Sequence, residues 1–233
     1  ANDAEIPVTT NHWVACASCH PEGTTDRVTW RFAHGPRDTP TNAGGTDGFL
    51  FRTAARRDVT EYWRTVRDEQ GGHLRPDDAQ LAPFLTTVRA FVLHALPAVP
   101  PPTLDPAQVS RGRAVFERAD TQCATCHPGP RGTDSGQGNP TLDLAGVVLL
   151  HDVGSCNPGD RAHTDFDGHP RAPCAFDTPA LVGLAESAPY MHDGSAPTLR
   201  AVLTTSNARE EHGHTRHLSE AEIEELVAYM RSR

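Results

Sequence analysis

The 233-residue sequence contains no lysine: all 21 of its basic residues are arginine. This absence points to genomic base composition rather than to a function. It also lacks any apolar run approaching the roughly 18 residues that a membrane-spanning helix needs, so no transmembrane segment is expected. Positive charge is in deficit, with 30 acidic residues giving a formal net charge of −9. A basic patch is the footprint of phosphate recognition, so nucleic acid is excluded as a partner. The deficit is concentrated late in the chain: residues 1–100 carry 10 Arg and 12 acids, residues 101–233 carry 11 and 18. Hydrophobic residues are only 37% of the total, and Gly plus Pro make up 39 of 233. Such a chain folds as compact, loop-rich domains in which something besides aliphatic side chains fills part of the interior.

What the sequence does have is six cysteines, four of them in two copies of one pattern, Cys16-Ala17-Ser18-Cys19-His20 and Cys123-Ala124-Thr125-Cys126-His127. C-x-x-C-H is the attachment signature of c-type haem. The two thiols can form thioethers to the two vinyl groups of one porphyrin, and the adjacent His is then held beneath the iron as proximal ligand. Competing readings are a redox dithiol, a disulfide or half of a zinc site. A thioredoxin-type C-x-x-C would lie near a βαβ pattern, which is missing here. A zinc site drawing on both pairs would need them roughly 15–20 residues apart, whereas they are 107 apart. Two covalent haem c groups are therefore expected, held by Cys16, Cys19, Cys123 and Cys126, with His20 and His127 on the irons. Their propionates would add to the negative charge.

Thioether attachment implies an exported, periplasmic bacterial protein whose export signal was removed or lay upstream. In such an oxidising compartment the remaining Cys156 and Cys174 read as a disulfide closing a loop rich in Pro, Gly and Asp. Free thiols or a haem-edge role are the alternatives.

Along the chain, residues 21–50 and 128–180 read as loop. Asp58-Val59-Thr60-Glu61 is a capping box opening a helix with Val59, Tyr62, Trp63 and Val66 on one face, stopped by Gly71-Gly72. A second helix carries Leu81, Phe84, Leu85, Val88, Phe91 and Val92, and Pro83 marks a late start or a kink. The stiff Pro97–Pro102 stretch places a domain boundary, giving residues 1–100 as one domain and 101–233 as another. Asp105-Pro106 caps a helix bearing Val109, Val115 and Phe116. Ser219-x-x-Glu222 caps a closing helix with Ile223, Leu226, Val227 and Met230 at helical spacing. The expected fold is all-α: two loop-rich, cytochrome c-like domains with one haem each.

Several stretches together resemble the bacterial dihaem cytochrome c peroxidase/MauG family. They are Cys16–Pro21 with Gly35-Pro36-Arg37-Asp38-Thr39-Pro40, Gly71-Gly72-His73-Leu74, the second haem motif, Asp177–Leu181, and Ala188-Pro189-Tyr190-Met191-His192-Asp193-Gly194-Ser195 with Thr198-Leu199. The resemblance covers nearly the whole chain. It implies two cytochrome c domains packed about their interface, a calcium ion often bound between them, one haem open to peroxide and one that passes electrons. Asp38 stands where the family often has an Asn near the calcium, and a carboxylate suits that hard cation. Phe49-Leu50-Phe51-Arg52 stands where many members carry a Trp between the haems, leaving Trp63 or Trp30 as substitutes. No helix precedes the first motif within residues 1–15. A haem face left open there would mark an interaction surface, so an upstream domain, a partner subunit or a second copy of the chain is expected.

The family places a Met or Tyr about eight residues after the Thr-Leu pair, where this sequence reads Thr204-Thr205-Ser206-Asn207. Imidazole suits iron, and His212 is the first-ranked sixth ligand of the second haem, ahead of Met191, His192 and His217. His34 or Glu69 is expected to shuttle a proton during peroxide cleavage. The resulting expectation is a peroxidase-like oxidoreductase taking electrons from a small redox protein. The alternative is an electron-transfer module with both irons six-coordinate.

Overall fold

The computed structural model describes residues 15–45, 48–72, 79–135 and 147–233. His73 and Leu74 of the Gly71–Leu74 stretch, and residues 1–14, lie outside the described residues.

Each C-x-x-C-H motif forms a single helical turn, α1 (Cys16–Cys19) and α5 (Cys123–Cys126). Between them come α2 (Tyr62–Glu69), α3 (Leu81–His94) and α4 (Pro106–Phe116). After them come α6 (Leu199–Leu203) and α7 (Glu220–Arg231). The start signals work as read. Asp58 accepts from the Thr60 N–H, although its Glu61 partner reaches back to the N–H of Arg57 rather than of Asp58. Asp105 accepts from the Ala107 N–H ahead of Pro106. Ser219 and Glu222 complete a reciprocal capping box. Pro83 falls in the first turn of α3, where its missing N–H costs no intrahelical bond.

The all-α expectation is overturned: the described residues are 35% helical and 10% strand, a mixed, loop-rich fold. Strands β1 (Thr29–Phe32) and β2 (Gly35–Asp38) form an antiparallel hairpin inside the segment read as loop. Its two-residue connection, Ala33-His34, is closed by Gly35 at φ 125°, a conformation that a residue with a Cβ resists. The run Val28-Thr29-Trp30-Arg31-Phe32 carries the β-branched and aromatic residues that favour strand, but the Gly, Pro and Asp around it dominated the reading. Residues 128–180 hold four further two-residue strands. They are β3 (Leu150–His151) paired with β6 (Phe176–Asp177), and β4 (His163–Thr164) paired with β5 (Pro170–Arg171). Cys156 and Cys174 are disulfide-bonded, with Cα atoms 4.9 Å apart, which is ordinary bridge spacing.

Two apolar clusters of unequal size result. Val115 and Phe116 of α4 pack with Ile223, Leu226, Tyr229 and Met230 of α7 and with Leu181, Leu199 and Leu203. The other cluster has only Val66, Leu81 and Leu85 buried, with Tyr62 and Trp63 against them. Around the first motif, aliphatic packing is sparse.

The α4–α7 crossing is set by Gly112. A Cβ there would lie 1.8 Å from the Glu225 carbonyl oxygen and 2.9 Å from the Tyr229 Cβ. The backbones can approach this closely only where the side chain is a hydrogen. Gly112→Ala should gain about 1 kcal/mol of helix propensity and lose more to overpacking, typically about 1–3 kcal/mol and larger against backbone. A net loss of stability in denaturant titrations of the holoprotein is expected. An unchanged or raised midpoint would show that the helices do not meet at Gly112.

Candidate functional site

In each motif, one helical turn places the two thiols at i and i+3 and the histidine at i+4, all on one face. The His20 N–H bonds the Cys16 carbonyl at 2.9 Å and the His127 N–H bonds the Cys123 carbonyl at 3.1 Å, so the turn carries through to the imidazole. Both rings are then oriented the same way. His20 Nδ1 lies 3.1 Å from the Thr24 carbonyl oxygen, and His127 Nδ1 lies 2.7 Å from that of Gly132. A carbonyl can only accept, so Nδ1 carries the proton and Nε2 keeps its lone pair for a metal. Burial keeps both imidazoles neutral, lowering the His20 pKa and bringing that of His127 to about 4.

Both motifs open onto one cavity of about 1320 Å³, larger than the roughly 300–1,000 Å³ of a typical single-ligand pocket. Phe84, Val88, Phe91 and Val92 of α3 line it. Phe91 is 54% and Phe84 37% exposed. Leu81 and Leu85 of the stripe read as helix core are buried, but the rest of it faces open space, which a flat apolar macrocycle fits. Haem c suits the residues present: paired thiols, an oriented neutral imidazole and an apolar wall at each motif.

The walls around the two motifs differ. Facing His127 is His212, with ring centroids 6.3 Å apart and planes at 48°. Two imidazoles each about 2 Å from a shared metal ion have centres roughly 6 Å apart, so this pair can bracket an iron. Burial holds His212 neutral as well. Its loop is pinned by Asn207. The buried Asn207 amide accepts from the His212 N–H at 2.9 Å and donates to the His212 and Gly213 carbonyls at 3.1 and 2.8 Å. An Asn five residues before a candidate His, inside a Gly-containing loop, was the available signal. Among the described residues no second ring is paired with His20.

Two of the three competing ligands are engaged elsewhere. His192 is buried, stacked on Phe176 at 4.0 Å and 3.0 Å from Asp160. His217 pairs with Asp120 on the surface, and Met191 lies on the cavity wall in a left-handed turn. The Ala188–Ser195 stretch, which carried the most specific resemblance, is a structural junction. Asp160 holds both Arg37 (2.8 Å) and His192, the Asp38 N–H bonds the His192 carbonyl (2.7 Å), and the Thr29 hydroxyl donates to the Asp193 carbonyl. These contacts fasten the β1–β2 hairpin and the disulfide loop to this turn.

The two proton-shuttle candidates separate. Glu69 lines the cavity, with its carboxylate accepting from the Ala33 N–H at 2.7 Å and 4.0 Å from Arg56. His34 is buried behind the wall, stacked on Phe32 and edge-on to Phe51, and is absent from the cavity lining. Asp38 lines the cavity with Oδ1 buried and unpartnered, and burial raises its pKa to about 7. An orphaned carboxylate oxygen of this kind fits a hard cation. Trp63 and Trp30 both line the cavity, Trp63 under Arg67 and Trp30 half-exposed, its indole N–H donating to Asp26.

Against known proteins, a family model for RoxA-like, cytochrome c-like domains matches residues 175–212. The chain is 32% identical over 141 residues to the hydrazine synthase subunit gamma of Kuenenia stuttgartiensis; that match covers 52% of this chain and 40% of the relative. Among solved structures, hydrazine synthase of Kuenenia stuttgartiensis aligns with TM-score 0.66 and 22% identity over 98% of this chain and 83% of that one. A MauG-like protein associated with microbial copper homeostasis aligns at TM-score 0.68 and 20% identity over 97% and 83%. A variant of the dihaem peroxidase BthA from Burkholderia thailandensis aligns at 0.58 and 17% over 97% and 82%. Fold and motifs together define a c-type haem protein of cytochrome c-like construction. Within that class the resemblance to the dihaem peroxidase/MauG family stands, and the fold is one this chain shares with MauG-like and dihaem peroxidase proteins.

Burial, with Arg37, His163 and Arg56 nearby, lowers the His34 pKa to about 3, against about 6.5 in an unfolded chain. The unfolded state therefore takes up this proton first. Stability from His34 is present above about pH 6.5 and is lost as pH falls toward about 3, by at most about 1.4 kcal/mol per pH unit. His34→Phe should remove that part of the acid sensitivity, so wild type should lose more stability than the variant between pH 7 and 4.5 in urea titrations. Parallel pH profiles would contradict a buried neutral His34.

Proposed function

We propose that this chain is an exported dihaem c-type oxidoreductase that reduces peroxide at its first motif with electrons entering through its second. A haem c bound at each motif supplies a redox-active iron. His20 and His127 would hold the irons. His212, positioned by Asn207, would supply a second imidazole at the second site, which suits electron transfer. Among the described residues no second imidazole is paired with His20, so the first site would keep a face for peroxide. Glu69, on the wall of the same cavity, is placed to hold a proton for a bound peroxide oxygen and return it to the other. Asp38 offers its unpartnered oxygen to a calcium ion. The halves divide as 1–100 and 101–233, one haem to each. A small redox protein is the electron donor, and no helix of the described residues is long and apolar enough to cross a membrane. The similarity to a hydrazine synthase subunit supports a chain that works within a larger assembly.

One observation carries this reading: an imidazole pair spaced for a metal at His127 and no such partner at His20. The purified ferric holoprotein should show one high-spin and one low-spin haem by electron paramagnetic resonance. His212→Ala should convert the low-spin signal to high-spin while both thioether-linked haems remain. Two low-spin haems in the wild type would favour the alternative, a pure electron carrier. A spectrum unmoved by His212→Ala would remove His212 from the iron.

A further inference from the structure

Four arginines face the cavity: Arg31, Arg37, Arg52 and Arg131. Arg37 is consumed by structure, donating to the Phe51, Pro36 and His34 carbonyls and to Asp160. Arg131 donates to the Gly45 carbonyl, and Arg31 is on the exposed strand β1. Arg52 differs. It is half-buried on the wall, and among the described residues its guanidinium makes no hydrogen bond or ion pair.

The backbone goes to some length to present it. Phe51, Arg52 and Ala54 all adopt left-handed conformations, with φ of 66°, 59° and 54°, each disfavoured for a residue with a side chain. Four tertiary hydrogen bonds impose the turn, one on each successive carbonyl. Phe51 accepts from Arg37 Nε, Arg52 from the Asp177 N–H, Thr53 from His163 and Ala54 from the Phe166 N–H. The two nearest carboxylates, Asp38 and Asp177, favour the charged guanidinium but close no ion pair with it. A buried cation that costs several kcal/mol to desolvate normally has a partner. Among the described residues no side chain pairs with it, and the cavity that Arg52 lines is where a partner can enter.

We propose that Arg52 is an anion clamp for a carboxylate held inside the cavity, and that this carboxylate is a propionate of one of the covalent haems. The assignment rests on the dihaem reading above. The planar guanidinium can meet a carboxylate with two parallel N–H···O bonds, a geometry the lysine ammonium cannot reproduce. A fixed positive charge beside a haem also disfavours the ferric over the ferrous state. Arg52 is thus a positioning and tuning residue, acting through the cofactor's own carboxylate.

The test uses the holoprotein with Arg52→Gln and Arg52→Lys variants, and three readouts. Haem count by pyridine haemochrome comes first: a wild type without two covalent haems fails the dihaem reading itself, whatever the clamp does. Given two haems, redox titration should show one midpoint potential lowered in Arg52→Gln and the other unmoved, with Arg52→Lys restoring the potential only in part. Unchanged potentials in both variants would overturn the clamp. The third readout is formate titrated into the wild type. A saturable spectral or potential change that Arg52→Gln abolishes would mean the clamp takes free carboxylates and would overturn the propionate assignment. No formate response supports it. Should Arg52→Gln load haem poorly, Arg52→Lys alone decides: full loading with both potentials at wild-type values would contradict bidentate holding, and a shift confined to one haem would support it.

Discussion

A single local constraint governs this structure: a helical turn that sets two thiols and an imidazole on one face, pointing into a space that side chains leave unfilled. The sparse apolar cluster of Val66, Leu81 and Leu85 shows the consequence. Helix α3 has the periodicity of a core helix, yet its Phe84 and Phe91 stand open to the cavity. Apolar surface on that scale is normally withdrawn from water, so the interior is complete only with a cofactor in place. The second half can hold itself together better, because α4 and α7 meet at Gly112 and bury a conventional cluster.

Around that constraint the loops are specific rather than slack. Asp160 in the disulfide loop grips both Arg37 of the hairpin and His192 of the Ala188–Ser195 turn, and Asn207 grips the strand of chain carrying His212. Buried ion pairs contribute little net stability and are costly to break. Their role here is positional: they fasten the hairpin and the Ala188–Ser195 turn, while hydrogen bonds from the Ala33 N–H and the Asn207 amide hold Glu69 and the His212 loop.

Much of this was legible in the sequence, and the reasons differ by element. The C-x-x-C-H turns, the capping residues of α4 and α7 and their apolar faces are local signals, decided by residues three or four apart. His212 could be ranked because chemistry left few other ligands downstream, and its ring does face His127. The fold class was misread because the β1–β2 hairpin lies in a segment dense in turn residues, and because two-residue strands such as β3 and β6 have no periodicity to detect. The separation of His34 from Glu69 was equally invisible. It depends on the two-residue turn of that hairpin and on Phe32 and Phe51 closing over the imidazole, contacts that no spacing rule encodes. Asn207 and Arg52 act through long-range hydrogen bonding and were legible only as ordinary loop residues.

The central proposal is that the cavity takes two covalently attached macrocycles. Intact mass of the purified native protein under denaturing conditions tests this most directly. A single species heavier than the polypeptide by two haems, its colour retained through acid-acetone extraction, is the predicted result. A mass matching the polypeptide alone, or with one haem, would contradict it.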